Sequence, residues 1–280
     1  MMGYLSKLSQ LFVKTSGQGE PLIVLHGWGM NSAVWKPVRV KLESQFCVSW
    51  IDLPGHGENS CVEAGSLDEI VDLIIPEIPE NAHLMGWSLG GLIIQAIALR
   101  IPEKIKSMTL VASTPRFSQT ENWKNAMSQE VLSNFADSLS ENIEATIKRF
   151  IALQFMGIKE AKTIQRELTQ NILTNLHKKA KKGGCVLRLR SAELLSTQHA
   201  LILGLDILRY SDFRNNRQAI PQHWVLAERD RLIPKELIND LKLIRPDAQI
   251  TLLENTGHAP FMTHPNQFLE SIVPFIKSNQ

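Results

Sequence analysis

Three side chains at separate places in the sequence could together carry out acyl transfer. Ser88 stands in Gly86-Trp87-Ser88-Leu89-Gly90, with glycines two residues before and two after. A serine hydroxyl is a weak nucleophile until a base takes its proton, and the base needs an acid to orient it. Asp230 (in Ala227-Glu228-Arg229-Asp230-Arg231-Leu232-Ile233-Pro234) and His258 (in Asn255-Thr256-Gly257-His258-Ala259-Pro260-Phe261) follow Ser88 in the order nucleophile, acid, base. Glu228 is a rival acid that a shifted loop would present, with Asp230 preferred. Taken alone, His258 would read as an ordinary loop histidine. A charge developing on the substrate oxygen also needs two N–H donors. One comes from the residue after the nucleophile, Leu89, and the other from the loop after an early strand, where Leu25-His26-Gly27-Trp28-Gly29 offers Trp28.

These residues need a scaffold that brings them to one place. Apolar runs at 22–25, 48–51, 82–85, 108–111, 224–227 and 250–253 predict strands. Helical spacing of apolar residues falls at 67–75, 89–100, 235–244 and 266–276. Alternating strands and helices imply crossover connections and a mostly parallel sheet covered on both faces. Ser88 then sits on a sharp strand-to-helix bend that only flanking glycines allow, with its hydroxyl at the helix N-terminus. Asp230 and His258 also follow strands, at the carboxyl ends where parallel-sheet enzymes place their chemistry. Gly91, outside the bend, is expected to let the helix pack closely on the sheet.

The rhythm breaks between about 113 and 212, where 131–139, 143–153 and 161–176 predict helices. This predicts an inserted helical lid (113–212) on a core made of 1–112 and 213–280. Within the lid, Leu176-His177-Lys178-Lys179-Ala180-Lys181-Lys182-Gly183-Gly184-Cys185-Val186-Leu187-Arg188-Leu189-Arg190 is expected to be a mobile connector.

Composition narrows the function classes. The 280 residues are 44% hydrophobic and 21% charged, as in ordinary globular proteins. No 18-residue apolar run predicts a membrane span, and the N-terminus lacks the features of a secretory signal or a myristoylation site. Three cysteines at unrelated spacings (Cys47, Cys61, Cys185) suggest neither a disulfide framework nor a metal knuckle, so a reducing cytoplasm is expected. His56, His83, His177, His199, His223 and His264 show no ligand spacing, and neither metal nor cofactor is expected. Asp52-Leu53-Pro54-Gly55-His56-Gly57 resembles the start of a nucleotide fingerprint, but Ser60 stands where the third glycine belongs. His26 is expected to organise its own loop. From 145 to 190 there are 11 Lys or Arg against two Glu, a net +9 that leaves −7 for the remainder of a chain of net +2. A lysine run is ordinarily a solvated surface, and this one lacks the interleaved aromatics of nucleic-acid binders.

Together, H-G-W-G, D-L-P-G-H-G, G-W-S-L-G-G, the acid loop ending in L-I-P and G-H-A-P-F resemble the α/β-hydrolase fold enzymes. The tryptophans of HGWG and GWSLGG, with Arg149-Phe150-Ile151-Ala152-Leu153-Gln154-Phe155-Met156-Gly157, narrow the resemblance to the carboxylesterases of biotin synthesis that act on pimeloyl-acyl carrier protein methyl ester. That resemblance implies a Ser88–His258–Asp230 triad, an acyl-enzyme, release of methanol, and an ester pocket lined by Trp28, Trp87, Leu89 and Phe150. It also implies that lid cations at Arg149, Lys162 and Arg166 grip an acidic carrier protein, while a further basic place falls on Ala145. A monomer is expected. Other hydrolases on this scaffold stay open as alternatives (a short-chain carboxylesterase, a C–C bond hydrolase, an aminopeptidase), as does a non-catalytic ligand-binding protein. Pocket shape, not the triad, separates them.

Overall fold

The computed structural model describes residues 10–158, 161–178, 187–217 and 219–280, with the side chains of 140, 173–178 and 187–196 excepted. Its centre is a seven-stranded sheet in the order β1-β3-β2-β4-β5-β6-β7. In chain order the strands are β1 (Val13–Ser16), β2 (Pro21–Leu25), β3 (Cys47–Ile51), β4 (Ala82–Trp87), β5 (Ile105–Val111), β6 (Gln222–Ala227) and β7 (Gln249–Leu253). All pairs are parallel except β1 with β3. β4 is buried along its whole length, as a strand covered on both faces must be. The polar edge strand β1, Val-Lys-Thr-Ser, carries no apolar run and was not legible from the sequence.

Helices α1 (Lys36–Glu43), α2 (Leu67–Ile74), α3 (Leu89–Arg100), α8 (Leu237–Ile244), α9 (Pro260–Thr263) and α10 (Pro265–Ser278) belong to the sheet-forming part of the chain. Ten of the twelve residues of α3 are buried, so this helix is apolar nearly all round and lies inside the protein. Between β5 and β6 come α4 (Gln129–Glu141), α5 (Ile143–Gln154), α6 (Lys162–Lys178) and α7 (Leu187–Tyr210). Ser128 and Asn142 cap α4 and α5 by accepting from Val131 N–H and Ala145 N–H. Helix α7 packs on α3 and on α4, which ties the insertion to the core.

The expected connector is shorter than its lysines and glycines suggested. Helix α6 continues through Lys178 and α7 already begins at Leu187, leaving 179–186, which lie outside the described residues. Leu187 to Arg190 alternate leucine and arginine, both strong helix formers, and continue into the apolar periodicity of α7. Among the described residues no helix is long and apolar enough to cross a membrane.

The register of the sheet sets up the site. Leu25 of β2 lies beside Gly86 of β4, so the loops 26–29 and 87–89 leave adjacent strands at the same level. Ala227 of β6 pairs with Leu253 of β7, which places the loops carrying Asp230 and His258 side by side. The strand order reverses between β2 and β4, and such a switch point leaves a crevice at the carboxyl ends of the strands.

Candidate active site

Ser88 occupies a backbone conformation that a side chain rarely adopts, with φ 54° and ψ −115°, between the last residue of β4 and the first of α3. A non-glycine residue held there costs about 1–3 kcal/mol, so the surroundings must over-determine it. Its N–H donates to Val111 C=O (2.9 Å), and its own C=O accepts from Gly91 N–H (2.9 Å) and from Ser113 Oγ (2.9 Å). The flanking glycines are required for space. A Cβ on Gly86 would collide with the Gly90 carbonyl, and one on Gly90 would lie 2.7 Å from the His26 carbonyl oxygen. The bend is thus closed by two backbones in contact, which explains the glycine spacing that marked it in the sequence.

Asp230 and His258 form a buried pair. His258 Nδ1 donates to Asp230 Oδ2 at 2.7 Å, because a carboxylate can only accept. The other carboxylate oxygen, Oδ1, accepts from Leu232 N–H (2.8 Å) and Ile233 N–H (3.1 Å). Neither side chain of the pair is exposed. With the hydrogen on Nδ1, Nε2 carries a lone pair, and this buried atom finds no hydrogen-bond partner among the described residues. The rival acid, Glu228, instead accepts from Asn255 N–H (2.9 Å) and braces the turn before His258. Ser88 is only 2% exposed, so charges at the site are weakly screened.

The tryptophans take different stations. Trp28 lies in the turn closed by Met30 N–H on Gly27 C=O (3.3 Å). Its indole N–H donates to Leu201 C=O of α7 (2.8 Å), and its ring meets Phe150 of α5 edge-on at 4.6 Å. Leu89 is the first residue of α3, where an N–H has no partner within the helix. Trp87 is fully buried, donates from Nε1 to His258 C=O (2.8 Å) and packs against Phe261 and Trp35. It therefore props the histidine loop from the core side. His26 binds its own loop, with Nδ1 donating to Gly27 C=O (2.8 Å) and Nε2 accepting from Leu53 N–H (2.9 Å). Burial holds His26 below the usual histidine range, in keeping with this neutral form. Asp52 of the rejected nucleotide-like stretch accepts from Ser32 N–H (2.6 Å) and Glu58 N–H (2.8 Å), a purely structural use.

Arg149, Lys162 and Arg166 are exposed on α5 and α6, and Lys162 and Arg166 share one helix face. Ala145 is also exposed. The side chains of the lysine run 178–182 lie outside the described residues. Among the described residues no group of three or more His, Cys, Asp or Glu is placed to hold a metal ion.

Two contacts of the site were missed from the sequence. The C=O of Gln154, at the end of α5, accepts from His258 N–H (3.3 Å), and Ser113 holds the Ser88 carbonyl. Gln154 belongs to the segment 149–157 that carried the family resemblance, whereas nothing about Ser113 stands out locally.

Residues 20–265 match the family model described as alpha/beta hydrolase fold. The chain is 34% identical over 264 residues to the pimeloyl-[acyl-carrier protein] methyl ester esterase of Pseudoalteromonas atlantica, covering 92% of this chain and 95% of that one. It is 33% identical to the protein of the same name from Photobacterium profundum, covering 94% and 97%. In three dimensions it resembles an esterase from Exiguobacterium antarcticum, with a TM-score of 0.78 over 95% of both chains at 18% identity, a likeness of fold. With its elbow, its buried histidine–carboxylate pair and these relatives, the chain belongs to the α/β-hydrolase fold family and, within it, to the family of pimeloyl-[acyl-carrier protein] methyl ester esterases.

Proposed function

We propose that the chain is a serine carboxylesterase that hydrolyses the methyl ester of pimeloyl-[acyl-carrier protein] to the free carboxylate and methanol, a step of biotin synthesis. The observation that carries the chemistry is the buried His258–Asp230 pair (2.7 Å), whose Nε2 has no hydrogen-bond partner among the described residues and stands at the strand ends with the strained Ser88. The substrate assignment rests on relatives of that name, matched over nearly the whole chain.

Ser88 Oγ attacks the ester carbonyl while His258 Nε2 takes its proton, and Asp230 stabilises the imidazolium. In the reacting complex Ser88 Oγ donates to His258 Nε2, the hydrogen bond through which a general base takes its proton. The N–H groups of Trp28 and Leu89 receive the oxyanion. The intermediate collapses, the C–O bond to the methoxy group breaks, and His258 returns the proton so that methanol leaves. Water, deprotonated by His258, then attacks the acyl-enzyme and releases the carboxylate with Ser88 restored. Trp28, Trp87, Leu89 and Phe150 wall the ester pocket, Trp87 from beside His258. The insertion 113–212 is the lid over the core 1–112 and 213–280. Arg149, Lys162 and Arg166 draw in the acidic carrier protein, helped by the net +9 of 145–190. A cytoplasmic monomer without metal or cofactor suffices for this reaction.

The test compares hydrolysis of the carrier-protein-bound methyl ester with that of a small p-nitrophenyl ester, alongside fluorophosphonate labelling. The carrier-protein ester is expected to be turned over with the higher kcat/KM, and labelling is expected to vanish in Ser88→Ala. Labelling of Ser88→Ala at the parent rate would refute the nucleophile. A preference for the small ester, indifferent to salt, would refute the carrier-protein substrate and return the short-chain carboxylesterase reading.

A further inference from the structure

The two N–H donors of the proposed oxyanion hole come from separate parts of the core, Trp28 from the loop after β2 and Leu89 from the first turn of α3. Their side chains meet under one residue of the insertion. A methyl group on Gly204, within α7, would stand 2.7 Å from Trp28 Cδ1, 3.2 Å from Trp28 Nε1 and 3.2 Å from Leu89 Cδ2. The first of these is closer than carbon atoms approach, so α7 or the indole would have to move. The indole has little freedom to do so. Its N–H is held by the Leu201 carbonyl at 2.8 Å, its ring is set edge-on against Phe150 at 4.6 Å, and the residue is 1% exposed. One helical turn earlier, the Leu201 side chain covers the position that a Cβ on Gly29 would take, at 3.5 Å. Helix α7 thus rests directly on Trp28 and Gly29 of this turn.

Local preference argues against glycine at this place. Gly204 lies in Leu201-Ile202-Leu203-Gly204-Leu205-Asp206-Ile207-Leu208, well inside a 24-residue helix. There glycine is, after proline, the residue least favourable to a helix. A residue that breaks a local rule where a backbone meets a functional loop marks a site where geometry outweighs helix stability.

We propose that Gly204 is a positioning residue of the esterase, a reading that rests on the function proposed above. By letting α7 touch Trp28 and Leu89 at once, it fixes the two donors at the spacing that the oxyanion requires. Donors act within a narrow range, about 2.7–3.1 Å from the oxyanion, so a displacement of a few tenths of an ångström weakens them. The insertion thereby takes part in the chemical step as well as in covering it.

The test uses the full chain and p-nitrophenyl butyrate, measuring kcat, KM, the rate of fluorophosphonate labelling and thermal stability. Gly204→Ala is expected to lower kcat and the labelling rate by about 10-fold, short of the 10²–10³ lost with a whole donor, with KM within about twofold of the parent. Trp28→Phe shrinks the ring beneath position 204, so adding Gly204→Ala to it should cost less than about threefold. A Gly204→Ala enzyme with kcat within twofold of the parent overturns the proposal, as does an equal loss in both backgrounds. If Gly204→Ala does not fold, Trp28→Phe alone decides. It keeps the backbone donor but loses the bond to Leu201, so kcat should drop about tenfold with KM within about threefold of the parent, and parent-like kcat overturns the proposal. A parent chain that neither turns over ester nor is labelled refutes the esterase reading itself, and the positioning role falls with it. A parent that is labelled, with Gly204→Ala labelled at the same rate, refutes the positioning role alone.

Discussion

Replacing Asp230 by asparagine should disable the enzyme without disturbing its fold, and the hydrogen bonds say why. Oδ1 accepts from two backbone N–H groups, those of Leu232 (2.8 Å) and Ile233 (3.1 Å). In Asp230→Asn the amide oxygen must stay at that place, because an NH2 group there would face two donors. The NH2 is therefore turned towards His258 Nδ1, which now stands 2.7 Å from a donor instead of an acceptor. His258 responds by moving its hydrogen from Nδ1 to Nε2, and Nε2 can no longer take the Ser88 proton. A wrong-tautomer histidine of this kind costs about 10⁴ in kcat, equivalent to ~5.5 kcal/mol of transition-state stabilisation. Steady-state hydrolysis of a p-nitrophenyl ester, with circular dichroism to confirm folding, measures the loss. The control is Glu228→Gln, whose carboxylate braces Asn255 N–H and should leave kcat within a few-fold. Asp230→Asn with kcat within tenfold of the parent, or a loss as large in Glu228→Gln, would refute the assignment of the acid.

Other perturbations follow from the same geometry. A Cβ on Gly91 would strike the Ser113 side chain that holds the Ser88 carbonyl, so Gly91→Ala should destabilise the protein by about 1–3 kcal/mol in urea unfolding. An unchanged midpoint would show that α3 does not depend on this close approach. Burial, the largest cause in each case, pushes His56 and His223 down to about 4. The unfolded chain then binds more protons between pH 4 and the ordinary histidine value of 6.5, so stability is full above pH 6.5 and is lost as pH falls towards 4. At pH 5 each histidine should cost about 2 kcal/mol, seen as a lower urea midpoint than at pH 7, and a flat profile would contradict it. Reversing charge with Lys162→Glu and Arg166→Glu should lower kcat/KM for the carrier-protein ester roughly tenfold at low salt. The small ester should be unaffected, and equal effects on both substrates would count against docking at α6.

Much of this was legible one segment at a time. The apolar runs located six of seven strands, because a strand buried on both faces must be apolar along its length. The edge strand β1 is polar and so carries no such run. The elbow was readable because two backbones touch at Gly86 and Gly90, which leaves a spacing in the sequence. The acid was not decided in this way. Asp230 and Glu228 lie two residues apart, and only the folded loops show that one faces His258 and the other Asn255.

The strand–helix alternation, the order of serine, acid and histidine, and the glycines of the bend are written in the residue pattern, since each depends on neighbours in the chain or on the burial of one segment. How the insertion meets the site emerges only when distant segments pack together. Leu201 reaches Trp28 across 173 positions, and Trp87 reaches His258 across 171. Gln154 meets His258, and Gly204 lies against the side chains of both residues expected to supply the oxyanion donors. Such contacts leave no periodicity or motif to read, because they arise from how separate elements pack and not from the preferences of either segment.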